Sequence, residues 1–321
     1  MSITLTRRAL VAAGLAAVAM PRLPFATAAR AQDAPAAPPL TYARQVGDIE
    51  VIAISDGYFD FPGSLFVNIE PEKVAEALSA AYLDPAGPAR IGITAHLVRS
   101  PDRTLLIDSG TAGGFGPTNG RLAAALAALG VDPADVDAVL VTHLHPDHIG
   151  GMTANGAAAF PNAAVHVSEA DVAFWTDEAR AAAAPADFKP FFDGARATLA
   201  AYGERVVPFA ADGEVVPGVT AHLLPGHTLG HAGYRIASDG AEILVFGDTA
   251  NSAAVQFANP EAGLVFDTDP ALAATTRAAF FDMAATDRLL VAGTHMPFPG
   301  VGHVARSGGA YAWVPEEWRL N

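Results

Sequence analysis

The stretch that decides the fold is Asp137-Ala-Val-Leu-Val-Thr-His-Leu-His-Pro-Asp-His-Ile-Gly-Gly151. Val139, Leu140 and Val141 form a short apolar run that reads as a buried strand. It leads directly into His143-x-His145-x-Asp147-His148. In an extended chain, residues two apart project to the same side, so His143 and His145 can meet at one metal ion. Pro146 then breaks the extended path, which frees Asp147 and His148 to turn toward a neighbouring position. Gly150 and Gly151 are expected to let the backbone bend tightly behind them.

Working outward, three more apolar strands end at a histidine or aspartate flanked by glycine. Val219–Leu224 leads into Pro225-Gly-His227-Thr-Leu-Gly-His231, Glu242–Phe246 into Gly247-Asp248, and Leu289–Ala292 into Gly293-Thr-His295. One such terminus is ordinary, but three beside the Asp147 cluster imply convergence at one sheet edge. Counting ligands gives His143, His145 and His227 for one ion, and Asp147, His148 and His295 for a second. Asp248 is left to bridge them. Three or four protein ligands per ion leave an open position, the pattern of a catalytic site. Two ions sharing a hydroxide lower its pKa toward neutrality, so no Ser or Cys nucleophile is required.

The chain has 321 residues, 51% of them hydrophobic, and no cysteine. That length supports one large domain with a substantial core. Without Cys, disulfides, thiolate zinc fingers and a Cys nucleophile are excluded, and any metal is held by imidazole and carboxylate. Five imidazoles suit two divalent ions of the zinc type, although such sites accept several metals.

Residues 1–31 read as an export signal: Arg7-Arg8 precedes an apolar run from Ala9 to Met20, and Ala29-Arg30-Ala31 offers a small-residue cleavage pattern. The paired arginines suggest the twin-arginine route to the periplasm or exterior. Residues 32–42 read as a Pro/Ala linker and 43–321 as a single domain, with no membrane span left after signal removal. Loss of Arg7, Arg8, Arg22 and Arg30 leaves 15 basic against 34 acidic side chains, a net charge of −19. Such a surface repels nucleic acid and polyanionic substrates, which favours a small neutral or weakly charged substrate.

The strand-rich pattern, with few helices and functional residues at strand ends, argues for a layered α/β sandwich. A doubly wound dinucleotide-binding fold is the alternative, but Gly110–Gly116 lacks G-x-G-x-x-G register. Of the other histidines, His96, His166, His222, His231 and His303 are expected to be structural. His231 and His303 are also positioned in sequence to support a ligand, as is Asp108.

His143-x-His145-x-Asp147-His148, His227, Asp248 and His295 together resemble the full ligand set of the metallo-β-lactamase-fold hydrolases. Within them the chain is most similar to the methyl parathion hydrolase group and its lactone- and aryl-ester-cleaving relatives. The similar stretches include Phe115–Thr118, Phe160–Ala163, Phe174-Trp175, Phe191-Phe192, Ala253–Phe257 and Pro297–Gly300. The resemblance implies a four-layer αββα sandwich, two metals at the sheet edge and a homodimer. It also implies that Phe115, Trp175 and Phe191 line a substrate pocket near the metals; core packing is the alternative for each. The activity implied is hydrolysis of organophosphate triesters, aryl esters or lactones. N-acyl-homoserine lactonase is the nearest rival, followed by thioester hydrolase, β-lactamase and a non-catalytic metal binder.

Overall fold

Leu105, Leu106 and Ile107 show how the layers arise. In a strand their side chains alternate, and Leu106 enters one apolar cluster while Leu105 and Ile107 enter another. The same division separates Val139 from Leu140 and, in a second sheet, Leu244 from Ile243 and Val245. Strands apolar on both faces must be covered on both faces. The computed structural model, described for residues 38–319, shows two sheets that do this for each other on one face and use helices on the other.

The first sheet holds β1 (Thr41–Val46), β2 (Ile49–Phe61), β3 (Ala89–Ser100), β4 (Arg103–Ile107), β5 (Ala138–Leu140), β6 (Ala164–Ser168) and β7 (Val206–Phe209), side by side in chain order. Pairing is antiparallel from β1 to β4 and parallel from β4 to β7. The second sheet repeats the sequential order with β8 (Gly213–Val216), β9 (Val219–Leu223), β10 (Ala232–Ser238), β11 (Ala241–Val245), β12 (Val291–Ala292), β13 (Val301–Ser307) and β14 (Ala310–Pro315). Only β11 and β12 pair in parallel there.

The helices are α1 (Pro71–Ala80), α2 (Leu122–Ala128), α3 (Pro146–Ile149), α4 (Glu169–Thr176), α5 (Glu178–Ala183), α6 (Lys189–Tyr202) and α7 (Pro270–Asp287). Leu122 of α2, Trp175 of α4 and Phe192 of α6 pack on the outer face of the first sheet. Phe280, Phe281 and Ala284 of α7 cover the second. Val51, Val98 and Ile107 meet Tyr234, Ile236 and Val245 between the sheets. These three apolar interlayers make the expected four-layer αββα sandwich. Each fully buried aliphatic side chain contributes roughly 1.5–3 kcal/mol to holding it.

Some boundaries differ from the sequence reading. β1 opens at Thr41, inside the stretch read as linker, and pairs with β2 from Thr41↔Ile54 to Val46↔Ile49. The Ala-rich stretch after Thr176 contains α5. The hairpin of β13 and β14 had no counterpart in the reading, although Gly308-Gly309 joins them in a two-residue turn with Ser307 opposite Ala310. Residues 1–31 and most of 32–42 lie outside the described residues. Among the described residues no helix is long and apolar enough to cross a membrane.

Candidate metal centre

Each candidate ligand sits just past the C-terminal end of a strand, and both sheets deliver theirs to the same edge. β5 runs out through Val141 and Thr142 to His143 and His145; Pro146 then starts α3, which carries Asp147 and His148. Proline at the first helical position is favoured, since its missing N–H is not needed there. From the second sheet, β9 leads to His227, β11 to Asp248 and β12 to His295. All seven converge. His143, His145 and His227 form one group whose ligand atoms lie within 4.8 Å of one another, as do Asp147, His148 and His295, and also His143, His148 and Asp248.

Asp248 is the hub. Its Oδ2 lies 3.0 Å from His295 Nε2, 3.2 Å from His227 Nε2 and 3.9 Å from His143 Nε2, and its Oδ1 is 3.2 Å from His148 Nε2. His145 presents Nδ1, 3.0 Å from His227 Nε2. Asp147 Oδ2 is 3.4 Å from His295 Nε2 and 3.5 Å from His148 Nε2. His143 Nε2, His148 Nε2 and Asp248 Oδ1 are nevertheless buried without a hydrogen-bond partner. Buried polar atoms left unpaired cost free energy. Several such nitrogen and oxygen atoms turned toward one another fit a pair of divalent cations better than they fit each other.

The far sides of the ligands are braced. His148 Nδ1 lies 2.8 Å from Asp108 Oδ2, His227 Nδ1 2.7 Å from Asp267 Oδ1 and His295 Nδ1 2.6 Å from the Gly92 carbonyl. These contacts fix which ring nitrogen faces the site. Asp108 also accepts from the Thr142 N–H and hydroxyl, and it holds a left-handed backbone at φ 57°. Asn251 Nδ2 donates to Asp248 Oδ2 at 2.7 Å.

Charge follows geometry. Burial, then neighbouring imidazoles, hold His143 and His145 well below the ordinary histidine pKa, so both stay neutral and able to donate a lone pair. Burial also disfavours a charged His148 or His295, but Asp248 and Asp147 overcome it and raise both. Burial likewise opposes ionisation of the two acids. The facing histidines still bring Asp147 down to about 2 and Asp248 well below the carboxylate range. The site thus holds two ionised carboxylates that attract cations.

The three predicted pocket aromatics separate. Phe191 lies edge-on to His145 at 5.6 Å. Phe115 is 38% exposed and reaches the site through Phe59, at 5.8 Å, which in turn lies 5.9 Å from His295. Trp175 touches His145 at 5.4 Å but is buried in the core behind it. Sequence reasoning missed Phe59, Phe61 and Phe266. Phe61 stacks on Phe59 at 4.8 Å, and Phe266 bridges Phe61 and Phe191 at 5.7 and 6.4 Å. An aromatic arc therefore joins the two halves of the site. The spacing of Phe59 and Phe61, two apart on β2, was the available signal.

Asp267 and Asn251 were also missed. His231, placed by the sequence as either structural or a support for a ligand, donates to the Leu224 carbonyl and accepts from the Asp248 N–H. His303 instead contacts the Leu289 carbonyl, at 2.8 Å. Gly150 and Gly151 are needed for close approach rather than bending. A Cβ on Gly151 would lie 2.2 Å from the Ser109 carbonyl oxygen, and one on Gly150 2.6 Å from the Thr111 backbone.

Comparison with known proteins agrees with this geometry. Residues 90–295 match the Metallo-beta-lactamase superfamily. Among solved structures, hydrolase AbOPH of the beta lactamase superfamily superposes with a TM-score of 0.82 at 35% identity, over 87% of this chain and 98% of that one. AidC, a dizinc quorum-quenching lactonase, superposes with a TM-score of 0.81 over 88% of this chain and 99% of that one; at 23% identity the likeness is one of fold. An N-acyl homoserine lactone hydrolase shares the fold at a TM-score of 0.54 and 21% identity, over 80% of this chain and 100% of that one. With a family match over more than half its length, and a solved relative above 30% identity along most of it, this chain belongs to the metallo-beta-lactamase superfamily.

Proposed function

We propose that the chain is a dinuclear metal-dependent hydrolase of neutral, apolar esters: lactones, aryl esters or organophosphate triesters. The observation that carries this reading is Asp248, buried among His143, His148, His227 and His295 with Oδ1 unpartnered. His143, His145 and His227 would hold one cation, Asp147, His148 and His295 the other, and Asp248 both. Zinc is the metal the donor set suits best. When bound, such a pair supplies a water-derived nucleophile at neutral pH and draws charge from the substrate oxygen.

The chain's own residues do the rest. Asp108, Asp267 and Gly92 orient the imidazoles, and Asn251 steadies Asp248. Phe59, Phe61, Phe191 and Phe266 offer an apolar wall to an aryl or acyl group and exclude water from it. An acidic surface, and only Lys73 and Lys189 as lysines, match an uncharged substrate.

N-acyl-homoserine lactone hydrolysis is the second reading, favoured by the likeness in fold to AidC and to a lactone hydrolase solved with N-hexanoyl-L-homoserine at its metal centre. Zinc-reconstituted protein assayed on an aryl ester, a simple lactone, an acyl-homoserine lactone and methyl paraoxon decides between them. Turnover of the aryl ester or simple lactone above the homoserine lactone supports the first reading; the reverse order supports the second. Metal-independent or absent turnover of all four rejects both. Export by residues 1–31 and a homodimeric state are further parts of the proposal, resting on the sequence and its resemblance.

A further inference from the structure

α4 begins after β6 with Ser168 as its cap, the hydroxyl accepting from the Ala170 N–H at 3.2 Å. An acid in the first turn of a helix ordinarily faces water, where it interacts with the helix dipole. Asp171 does the opposite: it is fully buried. Its Oδ2 accepts from the Leu144 N–H at 3.0 Å and its Oδ1 from the Gly230 N–H at 2.9 Å. Leu144 stands between His143 and His145, and Gly230 between His227 and His231. The carboxylate therefore ties together the two loops, from different sheets, that carry the first trio of ligands.

A second feature shows how tightly the loop is seated. A Cβ on Gly230 would lie 2.3 Å from the Asp171 nitrogen and 2.6 Å from the Ser168 hydroxyl oxygen. Only a residue without a side chain lets the His227 loop press against the start of α4. Burial of a carboxylate is expensive even when it is hydrogen-bonded, and two backbone donors from loops distant in sequence are a specific return for it. The His145–His227 contact of 3.0 Å lies between the two tethered loops.

We propose that Asp171 is a positioning residue that sets the spacing of His143, His145 and His227 and so the affinity of that metal position, leaving the Asp147, His148 and His295 position unaffected. The inference rests on the metal-centre reading above. A buried carboxylate behind ligand loops acts as a metal's outer support does, through orientation rather than contact.

The test uses two backgrounds, each retaining one trio: His295→Ala and His227→Ala. Each is titrated with zinc against a chromophoric chelator, with and without Asp171→Asn. In the His295→Ala background, Asp171→Asn is expected to weaken zinc binding by about 10- to 100-fold. In the His227→Ala background the change is expected to stay below about threefold. Equal losses in both backgrounds, or loss in neither, overturn the proposal. If the chain without any substitution binds no zinc, the metal-centre reading itself fails. If it binds zinc and neither background does, Asp171→Asn is compared on the two stepwise zinc affinities of the otherwise unsubstituted chain, where loss at one step supports the proposal and equal loss at both overturns it.

A measurement on the unsubstituted chain covers the case in which Asp171→Asn does not fold. In the metal-free protein, the Leu144 and Gly230 amides are expected to show hydrogen-exchange protection within about threefold of each other, because one carboxylate holds both. Protection differing by more than about tenfold would contradict a shared clamp.

Discussion

The backbone N–H of Asp248 donates to His231 Nε2 at 2.8 Å. His231 Nδ1 lies 3.0 Å from the Leu224 carbonyl, so the ring is held in the Nδ1–H tautomer with Nε2 free to accept. Burial and then the neighbouring His227 push its pKa down to about 3, which keeps it neutral. Gly247, next to Asp248, is pinned against the same ring: a Cβ there would sit 2.5 Å from Nε2.

Replacing His231 with Leu leaves the Asp248 N–H without an acceptor in a buried place. The expected outcome is a loss of zinc affinity of about 10- to 100-fold and a parallel fall in kcat, with a stability cost of about 1–3 kcal/mol from the orphaned donor. Chelator competition and chemical denaturation of the metal-free protein read the two effects separately. Unchanged affinity would show that Asp248 needs no such support.

Phe115 and Trp175 are expected to part company. Trp175 is buried against Phe174, Phe192 and the edge of His145, so Trp175→Leu should lower stability by about 2–4 kcal/mol as a large-to-small core change. Phe115 is partly exposed on Phe59. Phe115→Ala should raise KM for an aryl ester severalfold and leave the thermal midpoint within a few degrees. Steady-state kinetics and thermal melts of both variants check this; a larger KM change in Trp175→Leu would reverse the assignment.

The candidate site is legible in the sequence where the information is local. His143 to His148 follow an apolar strand and precede a proline, and the glycine-flanked termini at His227, Asp248 and His295 each repeat the pattern. Asp108 and His231 stand beside their motifs and are legible as supports; supports that approach from distant segments are not. Asp267 lies far along the chain from the His227 it braces, and Asp171 reads as an ordinary acid at a helix start until the fold turns it inward. Phe266 joins Phe61 to Phe191 across three separate segments. The left-handed backbone of Asp108 belongs to its packed setting, in which the carboxylate is held by Thr142 and His148. The last hairpin is legible in Gly308-Gly309, a two-residue turn signal between its strands.

His96 gives a pH prediction. It lies on β3 opposite Ala53 and Ile107, with both ring nitrogens buried and unpartnered, and burial lowers its pKa to about 4. The unfolded chain binds a proton near the ordinary value of 6.5, but the folded chain does so only near 4. The stability it contributes is therefore complete above pH 6.5 and lost as pH falls from there toward 4, by about 3 kcal/mol in all. Between pH 7 and pH 5 the share is about 2 kcal/mol. Denaturation of metal-free wild type and His96→Phe at the two pH values isolates it, the variant losing less by that amount. Parallel losses would show that His96 stays hydrated.

The central claim is that seven side chains from two sheets hold a pair of cations, and the metal content of the protein tests it most directly. Purified chain, stripped with chelator, reloaded with zinc and desalted, should carry about two equivalents per chain by inductively coupled plasma mass spectrometry. Asp248→Ala should carry markedly fewer, because it removes the side chain proposed to serve both cations. A single equivalent in the wild type, or none, would contradict the account.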